Sequence, residues 1–394
     1  MSSSIENYDI AIVGGGIVGL AAACLLAKQY ARIALIDNSS FSAWKKDDTY
    51  GLRVSAINLA SSELFSELGI WDSVINMRAY PYHAMHVWEA NSDTKITFSS
   101  NETSHSSLGA IVENNVLLTA LHKKVDAIST INKYQLSLQD ISQIADSAML
   151  LEMDTNVRLS AKLVIGADGQ HSKVRECMGA DVMRTHYQQL GLVTCVKTEF
   201  DHEHIARQCF TSEGPLALLP MADGICSVVW SVSEQRNLEL HDLSDDEFNQ
   251  QLSAAFEYKL GNLEIISERK SFPLLGAQSS QYIAHRMVLL GDAAHVIHPL
   301  AGLGLNMGLA DARYLTQLLA KSNRELGSER VLRQFERARK SENLFMQRSL
   351  EAIDTLFREE HQAVKKIRNF GVNMTNKALP LKLLFMRRAL GVPI

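Results

Sequence analysis

The first apolar run of the chain, YDIAIV at residues 8–13, has the length and β-branched content of a buried strand. Small apolar residues follow in GLAAACLLAKQ, which predicts a helix, and a second strand-like run, RIALID, ends at Asp37. No Lys or Arg precedes the uncharged stretch from Ile10 to Ala27, so the positive region of a signal peptide is missing. The pattern therefore predicts a buried strand, a turn, a helix and a second strand rather than a membrane span.

Later patterns divide the chain between two kinds of structure. Alternation of polar and apolar residues predicts one strand from Val87 to Phe98, a meander over residues 130–165 and antiparallel strands over residues 181–270. Beyond residue 306 the pattern is mostly helical. No repeat or low-complexity linker separates these regions, so we expect interleaved domains rather than domains in series.

Composition narrows the possible partners and compartment. Of the 394 residues, 46% are hydrophobic and 21% are charged, which is ordinary for a globular protein. The net charge of -5 and the lack of a nucleic-acid-binding motif argue against a nucleic-acid partner. Five cysteines without C-x-x-C spacing indicate a reducing, cytoplasmic compartment, buried thiols and no metal site.

The turn after the first strand carries a glycine motif with a physical purpose. Gly14, Gly16 and Gly19 form G-x-G-x-x-G between a strand and a helix, and the next strand ends at the acidic Asp37. In this context the glycines permit a tight turn, a close approach to a pyrophosphate and close helix–strand packing. The unpaired N–H groups of the helix favour an anion, so the sequence predicts a dinucleotide site.

Two further motifs follow apolar strands: GADGQHSKVRECMG at residues 166–179 and GDAAHVIHPLAGLGLN at residues 291–306. Together with GGGIVG, these motifs occur in the same order as three signatures of the single-component FAD-dependent aromatic hydroxylases. The chain resembles this family, which includes p-hydroxybenzoate hydroxylase, over nearly its whole length. LRVSAINLAS, LGAIVENNV and HPLAG are similar to the ubiquinone-biosynthesis branch, and within it to 2-polyprenylphenol hydroxylases.

The resemblance implies an α/β fold with an α+β insert, like that of p-hydroxybenzoate hydroxylase. A Rossmann-type FAD-binding domain would be interleaved with an antiparallel-sheet substrate domain and followed by a C-terminal helical region. The expected bounds are residues 1–80, 108–180 and 271–330 for the FAD-binding domain, 81–107 and 181–270 for the substrate domain, and 331–394 for the helical region.

The resemblance also implies site residues. The cofactor-binding residues would be Gly14, Gly16, Gly19, Asp37, Arg53, Asp168, Gly291, Asp292, Gly302, Gly304, Leu305 and Asn306. Among them the first glycines would hold the pyrophosphate, Asp37 the adenosine ribose and Asp292 a ribityl hydroxyl, while the turn before Leu305 would lie flat against the flavin ring. His298 and Pro299 are candidate catalytic residues, although a histidine at such a turn is also typical of a structural role.

One position departs from the branch. At the flavin turn the branch usually reads A-G-Q-G, whereas this chain has Leu303 in place of the glutamine. The backbone donors of Leu305 and Asn306 are retained at the start of the following helix. In general a helix N-terminus stabilises a nearby negative charge, such as that of a reduced flavin, by about 0.3–2 kcal/mol.

The activity that the resemblance implies is a monooxygenase reaction. FAD, reduced by NADH or NADPH, would react with O₂ to a C4a-hydroperoxide that hydroxylates the ring of a polyprenylated phenol, with 2-polyprenylphenol hydroxylation as the expected reaction. An FAD-dependent reductase on the same scaffold and a non-catalytic scaffold subunit of a ubiquinone-synthesis assembly stay open. The sequence also leaves open the hydroxylated carbon, the prenyl length, the preferred nicotinamide and the base that ionises the phenol. The oligomeric state stays open as well, and a homo-oligomer is one of the alternatives.

The C-terminal segment is basic. Residues 361–394 contain seven Lys and Arg and no Asp or Glu. Such an end could lie on an anionic membrane at its inner face, or dock other ubiquinone-synthesis proteins. The alternative is a C-terminal helix that packs on the FAD-binding domain and keeps its basic face in solvent.

Overall fold

Three sheets connected by helices make up the described part of the chain. The computed structural model describes residues 5–92, 94–298, 302–358, 361, 368 and 379–391. Its helices are α1 (Ile17–Leu26), α2 (Leu59–Glu67), α3 (Trp71–Arg78), α4 (Asn114–Asp126), α5 (Lys173–Cys177), α6 (Glu234–Asp242), α7 (Asp245–Ala255), α8 (Gly304–Lys321), α9 (Glu329–Arg358) and α10 (Leu379–Leu390), with short 3₁₀ turns at Ser100–Glu102 and Gly291–Ala293.

The first sheet has eight strands, which are β1 (Glu6–Val13), β2 (Ile33–Ile36), β8 (Ile131–Tyr134), β9 (Leu138–Ala145), β10 (Ala148–Met153), β11 (Arg158–Gly166), β18 (Ile283–Ala284) and β19 (Met287–Leu289). The second has nine, which are β5 (Ala84–Glu89), β6 (Lys95–Ser99), β12 (Val182–Thr198), β13 (Ile205–Phe210), β14 (Pro215–Pro220), β15 (Ile225–Ser233), β16 (Leu263–Ile265), β17 (Lys270–Ser279) and β20 (His295–Val296). The third has β3 (Val54–Asn58), β4 (Ala79–Tyr82) and β7 (Gly109–Glu113).

Five parallel strands form the centre of the first sheet, in the order β19-β11-β1-β2-β8. Ile10 and Ile12 of β1 are fully buried, as expected for a parallel sheet with both faces covered by helices. At the carboxyl edge Val13 pairs with Gly166, and Gly166 pairs with Leu289. The three motifs therefore leave the sheet side by side, although they are far apart in the sequence.

The second sheet is antiparallel apart from the β5–β13 pair. Helices α6 and α7 cover it with an apolar cluster that includes Trp230 and Phe248. The expectation of one strand from Val87 to Phe98 is wrong, because the chain reverses between β5 and β6. Asn91 adopts a left-handed conformation there, with φ of 57°, and the two strands pair as a hairpin.

The chain passes between the two large sheets more often than the expected domain bounds imply. Strands β17 and β20 belong to the second sheet, yet β20 and all of β17 after its first residue fall within residues 271–330 of the expected FAD-binding domain. Between them β18 and β19 return to the first sheet. The domain bounds themselves stay a prediction.

The described part of the C-terminal region packs against the second and third sheets. Met386 and Leu390 of α10 join Leu108 in an apolar cluster. Lys382 forms an ion pair of 2.5 Å with Glu102, and the buried Arg368 pairs with Glu89. Lys365, Lys366 and Lys377 of the basic segment lie outside the described residues. In the described ranges, none of the helices combines the length and the apolar character needed to cross a membrane.

The cysteines behave as small buried side chains. Cys24, Cys195, Cys209 and Cys226 are buried, Cys177 is partly exposed, and all five are free thiols. Burial raises the pKa of Cys24, Cys209 and Cys226 to about 12, so these thiols stay protonated at neutral pH. The expectation of buried thiols is confirmed for four of the five.

Candidate active site

The glycine turn after β1 combines tight packing with an open approach. Gly14 has φ of +111°, and a Cβ there would lie 2.2 Å from the Ala167 carbonyl oxygen. A Cβ on Gly19 would lie 2.0 Å from the Gly14 carbonyl oxygen. A Cβ on Gly16, in contrast, would meet no atom within 4 Å. Two of the glycines thus serve chain packing, whereas Gly16 leaves the helix N-terminus accessible.

The first turn of α1 offers unpaired donors at this place. The first intrahelical bond runs from the Leu20 N–H to the Gly16 carbonyl, so the N–H groups of the three residues before Leu20 precede it. Ile17 and Val18 line a cavity at this helix end. Such donors, together with the positive end of the helix, favour an anion such as a pyrophosphate.

Asp37 braces the glycine turn from the neighbouring strand. One carboxylate oxygen accepts the Gly15 N–H at 2.5 Å, and the other accepts the Ser39 N–H at 2.8 Å. The side chain therefore fixes the turn through the backbone. Its expected contact with an adenosine ribose stays a prediction.

Asp168 stabilises the second motif internally, and Arg175 joins it to the third. The Asp168 carboxylate accepts hydrogen bonds from the Ser172 hydroxyl and from the N–H groups of Lys173 and Val174 at the start of α5. The buried Arg175 guanidinium donates to the Ala293 carbonyl at 2.8 Å and to the Gln170 carbonyl at 2.7 Å. Both side chains stabilise the turns themselves, and neither lines the cavity.

The third motif presents Asp292 to the cavity. Gly291, with φ of +57°, precedes it in the left-handed conformation that favours glycine. The Asp292 side chain is open to the cavity, and its loss of bulk water raises its pKa, while the charges of His295 and Arg53 oppose this shift. A carboxylate placed there can accept hydrogen bonds from ligand hydroxyl groups.

The start of α8 lines the same cavity. Gly302 has φ of +60°, and Gly304 and Leu305 line the cavity with it. The first intrahelical bond runs from the Met307 N–H to the Leu303 carbonyl, so the donors of Gly304, Leu305 and Asn306 precede it. The partly buried Leu303 side chain is not among the residues that line the cavity and packs against an apolar cluster.

Asn306 joins this corner to the third sheet. Its amide donates to the Ala56 carbonyl at 2.7 Å, and its side-chain oxygen accepts the Asn58 N–H at 3.0 Å. The side chain is buried, so only its backbone N–H remains for a ligand. The expected role of its backbone donor therefore stays a prediction, whereas the side chain has a structural partner on each side.

The α1 and α8 corners line one cavity of about 950 Å³. Of the expected cofactor-binding residues, the cavity walls include Gly16, Arg53, Asp292, Gly302, Gly304 and Leu305. Glu113 also lines it and accepts the Gly51 N–H at 2.6 Å and a hydrogen bond from Arg78. The cavity thus combines donors for an anion at α1, a cation, a carboxylate and a second helix N-terminus.

The structure gives little support for a catalytic role of the expected catalytic residues. Pro299 lies outside the described residues. His298 is buried, and its ring packs edge-on against Tyr187 with centroids 4.7 Å apart. His295 forms a 2.7 Å contact with the buried carboxylate of Asp311. His295 therefore has a structural role, and the catalytic role of His298 stays a prediction.

Several residues of the site lacked a sequence motif. Tyr50, Lys270 and Phe272 also line the cavity, and the Arg53 guanidinium lies 5.1 Å from the centroid of the Phe272 ring. Nothing local in the sequence marks these three, since a fold-level contact between β17 and the segment before β3 brings them together. Asp311 had a possible signal, because it is an acid on the apolar face of α8, one turn before Leu315.

A parallel sheet whose strand ends meet a cavity between two helix N-termini defines a dinucleotide-binding protein. A family model described as an FAD binding domain matches residues 7–346. The chain is 33% identical to 3-demethoxyubiquinol 3-hydroxylase of Escherichia coli K12, over 98% of this chain and 99% of the relative. It is 32% identical to the mitochondrial ubiquinone biosynthesis monooxygenase COQ6 of Danio rerio, over 97% and 90% of the two chains.

Solved structures give the same fold. The p-nitrophenol 4-monooxygenase PnpA of Pseudomonas putida DLL-E4 superposes with a TM-score of 0.79 at 19% identity, over 99% of this chain and 100% of that chain. The chain belongs to the FAD binding domain family and is an FAD-dependent monooxygenase. The cavity residues fit this cofactor, because the open approach at Gly16 and the donors of α1 suit its pyrophosphate, and Asp292 suits its hydroxyl groups.

Proposed function

We propose that this monooxygenase hydroxylates the aromatic ring of a polyprenylated phenol in ubiquinone biosynthesis. The observation that carries the proposal is that relatives named as a ubiquinone biosynthesis monooxygenase and a demethoxyubiquinol hydroxylase align with almost the whole chain, the second sheet included. We propose 2-polyprenylphenol as the substrate on the sequence resemblance. A demethoxyubiquinol is the second candidate, since one relative of that name matches over 98% of this chain.

The chain contributes binding and electrostatics to the reaction. Bound FAD supplies the redox chemistry, namely hydride uptake from NADH or NADPH and activation of O₂. The α1 N-terminus and Gly16 would hold the pyrophosphate, and Asp292 would accept a ribityl hydroxyl. The N–H groups at the start of α8 would stabilise negative charge on the reduced ring, by about 0.3–2 kcal/mol for a helix N-terminus.

An apolar cluster beside the cavity suits a substrate with a hydrocarbon chain. Ile297 lines the cavity and also packs with Phe210, Met307 and Leu350. Leu303, the residue before α8, lies against the same cluster. This surface would exclude water next to the flavin, which limits loss of the activated oxygen as hydrogen peroxide.

Metabolite profiling tests the proposed substrate. Cells lacking the protein should accumulate the precursor of one ring hydroxylation, and ¹⁸O₂ should label the product that the purified enzyme makes from it. Accumulation of a demethoxyubiquinol would select the second candidate. Normal ubiquinone and unchanged intermediates would refute a role in this biosynthesis.

An oxygenation assay and a flavin-site variant distinguish a monooxygenase from the reductase and the scaffold subunit. Substrate-stimulated oxidation of NADH or NADPH with stoichiometric hydroxylated product supports a monooxygenase, whereas reduction without oxygen incorporation supports a reductase. A Gly16→Ala variant that restores ubiquinone synthesis without binding FAD would support a scaffold subunit.

The basic C-terminal segment leaves a membrane contact as a separate proposal. Arg387 and Arg388 are exposed on α10, and the Arg388 guanidinium lies 4.1 Å from the centroid of the partly exposed Phe345 ring. We expect the protein to float with anionic liposomes, and the double variant Arg387→Glu, Arg388→Glu to float less. Equal flotation of both proteins would exclude this contact and favour a packed helix with a solvated basic face.

A further inference from the structure

A fully buried carboxylate lies directly behind the Gly291–Asp292 turn. Asp311 of α8 is 0% exposed, and one of its oxygens accepts the Gly291 N–H at 3.1 Å and contacts His295 Nε2 at 2.7 Å. The other accepts Nε–H of Arg339 at 2.7 Å and the amide of Asn343 at 3.3 Å. All four partners come from outside α8, so this one side chain joins the turn, β20 and α9.

The bond to Gly291 is placed where it controls Asp292. Gly291 is left-handed, and a Cβ there would lie 3.4 Å from Val18 and 3.6 Å from Gly308. The turn therefore passes closely between α1 and α8. Because the Asp311 bond fixes the N–H of Gly291, the residue before Asp292, it also restrains the direction in which Asp292 enters the cavity.

Helix α9 supplies Arg339, the partner of Asp311, and continues toward the apolar cluster. Arg339 is 6% exposed and also donates to the Met307 carbonyl at 3.5 Å, in the first turns of α8. Three helical turns further on, Leu350 packs in the apolar cluster with Ile297. The Asp311–Arg339 contact therefore joins α9 to the Gly291–Asp292 turn, while Leu350 packs the same helix against the apolar cluster.

A buried ion pair has an uncertain net effect on stability, since the desolvation of both charges offsets much of their attraction. Stability alone is therefore a weak reason for a charged pair at this position, where apolar side chains of similar volume would pack. Fixing one conformation of the adjacent turn is a stronger reason, because each donor has a defined direction toward the carboxylate.

We propose that Asp311 and Arg339 are positioning residues that hold the Gly291–Asp292 turn in the conformation that receives FAD. The inference rests on the proposed role of Asp292 at the ribityl chain. Neither residue lines the cavity, so both act through the turn rather than by contact with the cofactor.

The test compares FAD affinity and turn dynamics in purified apoprotein. Asp311→Asn keeps the size of the side chain but loses its charge and one acceptor. We expect the Kd for FAD to rise about ten- to a hundredfold, the loss typical of one hydrogen bond to a charged group. Hydrogen exchange of the Gly291 amide should accelerate as well. Arg339→Lys keeps the charge but not the Nε donor, so it should raise the Kd less.

Arg286→Lys is a matched control. Arg286 is also 6% exposed, donates to three backbone carbonyl groups and pairs with Glu325, but it lies at the opposite end of β19 from the turn. It should lower the melting temperature and leave the Kd for FAD unchanged. If Asp311→Asn fails to fold, Arg339→Lys and Asn343→Ala provide the same comparison.

The outcomes are distinguishable. Unchanged FAD affinity and Gly291 exchange in the Asp311 or Arg339 variants would overturn the positioning role, as would equal loss of affinity in Arg286→Lys. Separately, wild-type affinity in Asp292→Ala would contradict the proposed ribityl contact, which is a failure of the premise rather than of the ion pair.

Discussion

Replacing Gly16 by alanine is expected to abolish tight FAD binding without unfolding the protein. Gly16 has φ of -72° and ψ of 175°, which alanine adopts without strain, and an added Cβ would meet no protein atom within 4 Å. The change in the free energy of unfolding of the apoprotein should therefore stay within about 1 kcal/mol, the usual range for an exchange of glycine and alanine.

The same methyl group would occupy the approach to the first turn of α1. If it displaces the pyrophosphate, two charge-assisted hydrogen bonds are weakened, each worth about 1.5–3 kcal/mol. A combined loss of about 3 kcal/mol corresponds to a roughly hundredfold rise in the Kd for FAD. Titration of apoprotein with FAD, followed by quenching of flavin fluorescence, measures this directly.

Gly14→Ala provides the contrasting variant in the same motif. Its Cβ would lie 2.2 Å from the Ala167 carbonyl oxygen, and its φ of +111° is unfavourable for alanine. Backbone strain alone costs on the order of 1–3 kcal/mol, so the melting temperature of the apoprotein should fall clearly. Wild-type FAD affinity in Gly16→Ala would refute the placement of the pyrophosphate at this helix.

Three further predictions concern the opposite side of the site. Asp292→Ala should raise the Kd for FAD about ten- to a hundredfold by removing a charged acceptor, and a yellow protein with undiminished flavin content would contradict this. Leu303→Gln should lower the free energy of unfolding by about 1 kcal/mol, because it places an amide against the apolar cluster at a partly buried position, whereas Leu303→Met should lower it by less in a denaturant titration. Burial raises the pKa of Asp311, but His295 and Arg339 outweigh it and lower the pKa to about 2, so its stabilising effect is present above about pH 4 and lost as the pH falls toward 2. In Asp311→Asn the melting temperature should therefore depend less on pH between these values. An unchanged pH dependence would show that this ionisation is not coupled to folding.

Local sequence patterns predicted the turns of the site but not the side-chain contacts that hold these turns in place. Gly14 and Gly16 are recognisable because a short βαβ unit imposes fixed spacing on residues close in the chain. Asp311 and Arg339 are 28 residues apart on different helices, and their contact depends on the angle at which α9 crosses α8. Periodicity gives the face of a helix and not its partner, so this ion pair could not be derived from the sequence.

A similar limit applies to charge. The basic C-terminal segment has seven cations by composition, and each exposed one could contribute about 1 kcal/mol to binding an anionic membrane. The fold pairs Arg368 with Glu89 and Lys382 with Glu102, so at most five of the seven remain for such a surface. Both acidic partners lie beside the β5–β6 hairpin of the second sheet, and these two charges therefore anchor the segment to the protein. Within this segment, a dependence of the binding on salt would therefore come from the remaining cations, Arg387 and Arg388 among them.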